Sequence, residues 1–203
     1  MVLNKESLGL SLKEKILEYL IENKEKPVTI RKISCDLKSD YKNIFQAVVN
    51  IHDLIYKEKI GNANLIRIKL VPAQKIFSVE IKRTNQFLKK NKKLGIIKQD
   101  AEETGYPFFI ILIFGSYAQE TQTEKSDIDI CIISDNKEKT KKLISKMELL
   151  PIKLEIHDFT TNEFESMLKI KEHNIAKEIV KNNIILYGIE NYYNLISKWT
   201  KKE

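Results

Sequence analysis

Residues that build metal and disulfide scaffolds are scarce in this chain, which has two cysteines and three histidines in 203 residues. Cys35 and Cys131 stand far apart, in no C-x-x-C or related spacing, and His52, His157 and His173 share no ligand spacing. The thiols read as small buried hydrophobes and the histidines as structural or surface groups. Long hydrophobic runs are missing too. The longest wholly apolar run, FFIILIF at 108–114, is far short of the roughly 20 residues that cross a bilayer, so it reads as a buried strand and no membrane partner is expected. The opening MVLNKESLGLSLKEK lacks the apolar segment of a secretory signal, and the expected location is the cytoplasm. No internal repeat or low-complexity tract interrupts the sequence.

What is present is charge, unevenly placed. The formal net charge is +7. Residues 1–70 carry 13 Lys or Arg against 9 Asp or Glu, residues 71–107 carry 8 against 4, and residues 108–203 carry 14 against 15. The positive excess lies in the first half, where it favours a polyanionic partner. The length allows one large domain or two small ones.

Along the first 70 residues, Ser11 and Glu14 form a capping-box pattern ahead of Leu12, Ile16, Leu17, Leu20 and Ile21 at helical spacing. Thr29 can cap a second helix with Ile30, Ile33 and Leu37, and Asp40 a third with Ile44, Phe45, Val48 and Val49. YKEKIGNANLIRIKL then reads as strand, Gly-Asn turn, strand. Three helices followed by a hairpin resemble the winged helix-turn-helix domain, whose third helix enters the major groove while the hairpin touches the backbone. The resemblance implies DNA contacts from Tyr41, Lys42, Asn43, Gln46 and Asn50 on the third helix. It implies others from Lys59, Asn62, Asn64 and Arg67 on the hairpin, and a homodimer as the binding form. A small helical domain that packs or dimerises is the alternative. Residues 71–107 read as a basic, helical connector.

From 108 onward, strands at 108–114, 127–134, 152–159 and 184–187 alternate with helices near 137–149, 161–169, 172–182 and 189–200. The pattern predicts an α+β domain with helices covering one face of a small mixed sheet. Strand alternation puts Asp127 and Asp129 on one face, with Cα atoms about 7 Å apart, so something must compensate two like charges. In PIKLEIHDF, Ile152, Leu154 and Ile156 share one face while Lys153, Glu155 and His157 share the other. Glu155 is therefore the candidate third carboxylate, with Asp158 turned away.

The segment GSYAQETQTEKSDID resembles the signature of the small nucleotidyltransferases of the DNA polymerase β superfamily: Gly115, Ser116, Ala118, Ser126, Asp127, Ile128 and Asp129 match at the family spacing. The later T-x-x-E-F stretch from Thr160 to Phe164 and IILYG at 184–188 extend the likeness over the second half. The resemblance implies a domain at 108–203 in which Asp127, Asp129 and Glu155 are catalytic and hold two Mg²⁺ ions. Gly115, Ser116 and Ser126 would bind ATP or another nucleoside triphosphate. The implied reaction is transfer of AMP to a hydroxyl of a protein partner, as in minimal nucleotidyltransferases that act as antitoxins on a toxin. A DNA-binding regulator that senses nucleotide, and an antibiotic-modifying enzyme, are the alternatives. The chain departs from the pattern after Ala118, where Gln119 and Glu120 replace the family's Arg and Gly.

Overall fold

The computed structural model describes residues 10–61 and 63–200. They fall into two compact units, Met1–Val79 and Glu80–Glu203.

In the first unit, α1 (Leu12–Glu22) starts at the capping box: Ser11 N–H donates to Glu14 Oε2 at 2.8 Å and Glu14 N–H returns to Ser11 Oγ at 3.3 Å. α2 (Ile30–Asp36) is capped by Thr29 and α3 (Tyr41–Val49) by Asp40. Strand β1 (Val28–Thr29) pairs with β3 (Ala63–Ile68), which also pairs with β2 (Ile55–Ile60), all antiparallel. The apolar faces of the helices meet Ile66 and Ile68 in a core that includes Ile16, Leu20, Ile33, Ile44 and Ile51. Tyr19 O–H donates to Asp36 Oδ2 at 2.7 Å, fastening α1 to α2.

Helix α4 (Gln74–Lys90) and α5 (Gly95–Glu103) precede the second sheet, and Phe87, Leu94, Ile97 and Ala101 are buried in its core. The strands are β4 (Ile110–Ile113), β5 (Ile128–Ile133), β6 (Leu154–Phe159) and β7 (Ile184–Tyr187), in the order β6-β5-β4-β7. β4 is antiparallel to β5 and β7, whereas β5 and β6 are parallel. A parallel pair needs a crossover, and α7 (Lys137–Met147) supplies it, with Leu143 and Met147 on Ile128, Ile130 and Ile132.

The expectation of one helix-covered face is corrected by the burial pattern. Ile110, Leu112, Cys131, Ile133 and Ile185, on the opposite face, are as buried as their neighbours. α8 (Thr161–Lys169) packs against β6 and α10 (Ile189–Thr200) against β4, and α9 (Ile175–Lys181) packs on α8. Coverage from both sides is why the buried run from Phe109 to Phe114 shows no alternation, whereas Phe108 is exposed ahead of the strand.

Beneath α10 lies a buried polar network. Glu80 receives the Tyr193 hydroxyl and the Arg83 guanidinium, each at 2.6 Å. Thr84 donates to the Ile185 carbonyl at 2.7 Å. No helix among the described residues is long and apolar enough to cross a membrane.

Candidate active site

Strand β4 ends where Phe114 N–H donates to the Asp129 carbonyl at 3.1 Å, and the chain then turns at Gly115 with φ +64°. A Cβ on Gly115 would collide with the Asp129 carboxylate. Glycine is therefore required twice, for the left-handed backbone and for the close approach. The short helical turn α6 (Gly115–Ala118) follows, with Ser116 half-buried. Farther along the loop, Ser126 Oγ accepts from Thr123 N–H at 2.9 Å and so closes a small turn ahead of β5.

The parallel register sets Asp129 directly beside Glu155. Adjacent strands lie about 4.8 Å apart, so the carboxylates repel across the pair. Asp129 shows the result: burial first, then the charge of Glu155, raises its pKa above the ordinary carboxylate value. His157 opposes the rise, while Glu178 of α9 and Asp127 add to it. Glu155 turns toward His157, whose Nε2 lies 3.2 Å from Glu155 Oε1, and the imidazole rests against the Phe114 ring at 5.6 Å between centroids.

Asp127 does not share the strand. β5 begins at Ile128, whose N–H donates to the Lys153 carbonyl at 3.0 Å, and Asp127 stands exposed just before it. There its charge stays in water. Among the described residues no group of three or more His, Cys, Asp or Glu side chains is gathered closely enough to hold a metal ion as they stand. The donor set is nevertheless the kind a hard divalent cation takes. It consists of carboxylate oxygens, with one carboxyl held above its ordinary pKa by burial and then by a neighbouring negative charge that such a cation would offset.

The family model "Polymerase beta, Nucleotidyltransferase" matches residues 96–192. A protein of Methanocaldococcus jannaschii named "Putative protein adenylyltransferase" is 32% identical over 101 residues, covering 47% of this chain and 72% of its own length. The chain belongs to the polymerase beta nucleotidyltransferase family. No solved structure matches it.

Where the family pattern has its second glycine, this nucleotidyltransferase has a glutamate in left-handed backbone. Glu120 has φ +55°. Thr121 N–H donates to the Ser116 carbonyl at 3.0 Å and Glu120 N–H to that of Tyr117 at 3.4 Å, the pair of bonds that closes a helix through a left-handed residue. The Glu120 carboxylate pairs with Lys90 at 2.7 Å.

In the nucleotidyltransferase's first unit, Tyr41, Lys42, Asn43, Gln46 and Asn50 are exposed on or at the end of α3. Arg67 is not on their side of the hairpin. It pairs across from Tyr56 and lies over that ring at 5.6 Å, while Lys57, on the next register position, reaches over Phe45 of α3 at 5.5 Å. Lys59 and Asn64 pair across the hairpin, and Asn62 lies outside the described residues. Lys57 is a functional candidate that sequence reading passed over, and His157 was placed on the face of Glu155 but read as a structural or surface group. Strand alternation from Ile66 and from Glu155 was the available signal for each.

Proposed function

We propose that this nucleotidyltransferase transfers AMP from ATP to a hydroxyl of a protein partner, and that its first unit is a winged helix that brings the enzyme to DNA. The observation that carries the reading is the placement of Asp129 beside Glu155 on adjacent strands, with Gly115 packed on Asp129. The name of the Methanocaldococcus jannaschii protein supports adenylyl transfer and a protein acceptor.

Asp127, Asp129 and Glu155 would hold Mg²⁺, which when bound neutralises triphosphate charge and favours in-line attack. Gly115 and Ser116 would offer backbone N–H groups to the phosphates, and Ser126 holds the loop that brings Asp127 to the rim. Glu155 accepts the proton of the incoming hydroxyl as its oxygen bonds to the α-phosphorus and the bond to pyrophosphate breaks. The contribution of these residues is positioning and charge compensation. In the first unit, exposed Lys42, Asn43 and Gln46 on α3 with Lys57 and Lys59 on the hairpin are side chains suited to phosphate and base-edge contact.

The experiment is incubation with ATP labelled on its α-phosphate, Mg²⁺ and the products of neighbouring genes, a small toxin-like protein first. Label on a partner, lost in Asp129→Asn, is the expected result. Nucleotide binding with no transfer to any acceptor favours the second reading, a DNA-binding regulator that senses nucleotide, for which Glu120 in place of glycine is the supporting feature. Binding to the protein's own promoter fragment is expected to weaken steeply with salt.

A further inference from the structure

β6 has two faces with different chemistry, and its outer edge is open. Glu155 and His157 lie on one face; Leu154, Ile156 and Asp158 lie on the other. On that second face a groove of about 400 Å³ runs between β6 and α7, lined by Ile144, Met147, Leu154 and Ile156 with Glu148 and Asp158 among them. It is separated by the strand itself from the Asp129–Glu155 pair. Exposed Leu149, at 84% of its full accessibility, extends the apolar surface beside Glu148.

β6 ends the sheet, and among the described residues no strand pairs with its outer side. The carbonyls of Lys153 and Phe159 are used inward, by Ile128 N–H at 3.0 Å and Ser134 N–H at 2.9 Å. Backbone alternation therefore turns the N–H and C=O groups of Leu154, Ile156 and Asp158 outward. A bare edge of this kind is a template for an added strand. Glu148 and Asp158 are exposed carboxylates in a chain of net charge +7, and neither forms an ion pair within the described residues.

We infer that the β6 edge docks an extended, basic segment of the acceptor protein as an additional strand, seating an apolar side chain in the α7–β6 groove and lysines or arginines against Glu148 and Asp158. Alternation then turns the segment's other side chains toward the face of Glu155, and a serine, threonine or tyrosine among them presents its hydroxyl beside that carboxylate. The docking stands by itself. The presentation of the hydroxyl rests on the adenylyl-transfer reading above.

Fluorescence polarisation tests it on the full chain. The probe is a labelled peptide that alternates Lys or Ile with Thr or Tyr, and the controls carry Glu in place of Lys or a central Pro that removes a backbone donor. The Lys peptide binds without nucleotide, and each control binds about tenfold more weakly. The exposed-site variant Glu148→Lys/Asp158→Lys loses about tenfold for the Lys peptide, while Asp129→Asn binds it as the wild type does. Equal binding of the Lys and Glu peptides overturns the proposal. So does concentration-dependent self-association that Glu148→Lys/Asp158→Lys abolishes, because the edge then serves a second copy of this chain. If binding follows this pattern but labelled ATP leaves no AMP on the peptide hydroxyl, the docking holds and the transfer reading fails.

Discussion

The near and far ends of the 115–120 turn both use left-handed backbone, but only one of them has no room for a side chain. At the near end Gly115 lies against the Asp129 carboxylate, and a Cβ has nowhere to go. At the far end Glu120 takes nearly the same φ with its side chain in solvent, tied to Lys90 by an exposed ion pair. The difference teaches that the two glycines of the family pattern answer different demands. The first leaves space for the Asp129 carboxylate; the second only eases a turn, and a turn tolerates a strained residue at modest cost.

The largest expected effect comes from the centre that the near end packs against. Asp129→Asn is expected to lower transfer of label from ATP by about 1,000-fold, because it removes one of the charges proposed to hold the triphosphate and its cation. Gly115→Ala should cost about 100-fold while the protein remains folded, since it displaces the Asp129 carboxylate that the chemistry needs in place. A Gly115→Ala enzyme of normal activity would break the contrast between the two ends. His157→Ala is expected to lower turnover about tenfold with nucleotide affinity unchanged, because Glu155 loses the neighbour that orients it. Glu120→Gly is the smallest change: thermal unfolding should show about 1 kcal/mol of stabilisation as the left-handed strain is relieved, with activity unaltered.

pH sharpens the same contrast. The Asp129 pKa is raised, so the folded state binds that proton more tightly than the unfolded chain does. Its contribution to stability is present at low pH and is lost as pH climbs through the raised value, above the ordinary carboxylate range of about 4. Without metal, Asp129→Asn should flatten this fall and raise the melting temperature at neutral pH by on the order of 2 °C.

Much of this was legible in the chain. The apolar alternation of KLEIH placed Glu155 on the face of Asp129, and the parallel register sets the two side by side. Caps at Ser11, Thr29 and Asp40 were readable because a capping side chain bonds only two or three residues ahead. Long-range facts were not. The Lys90–Glu120 pair spans 30 residues, and the Glu80–Tyr193 hydrogen bond spans 113. That Asp127 falls outside β5 depends on where pairing with β6 begins, which local pattern does not specify. The second helical layer was missed because a doubly buried strand shows no alternation from which to count faces. Arg67 was read only as a hairpin contact to DNA, and its alternation with Ile66 and Ile68 turns it toward Tyr56.

The most direct measurement is single-turnover transfer of AMP from α-phosphate-labelled ATP by wild type and Glu155→Gln, with nucleotide binding measured in parallel. The account predicts that Glu155→Gln binds ATP normally and transfers at least about 100-fold more slowly, since the base beside Asp129 is gone. A Glu155→Gln enzyme that transfers AMP as fast as wild type would contradict it.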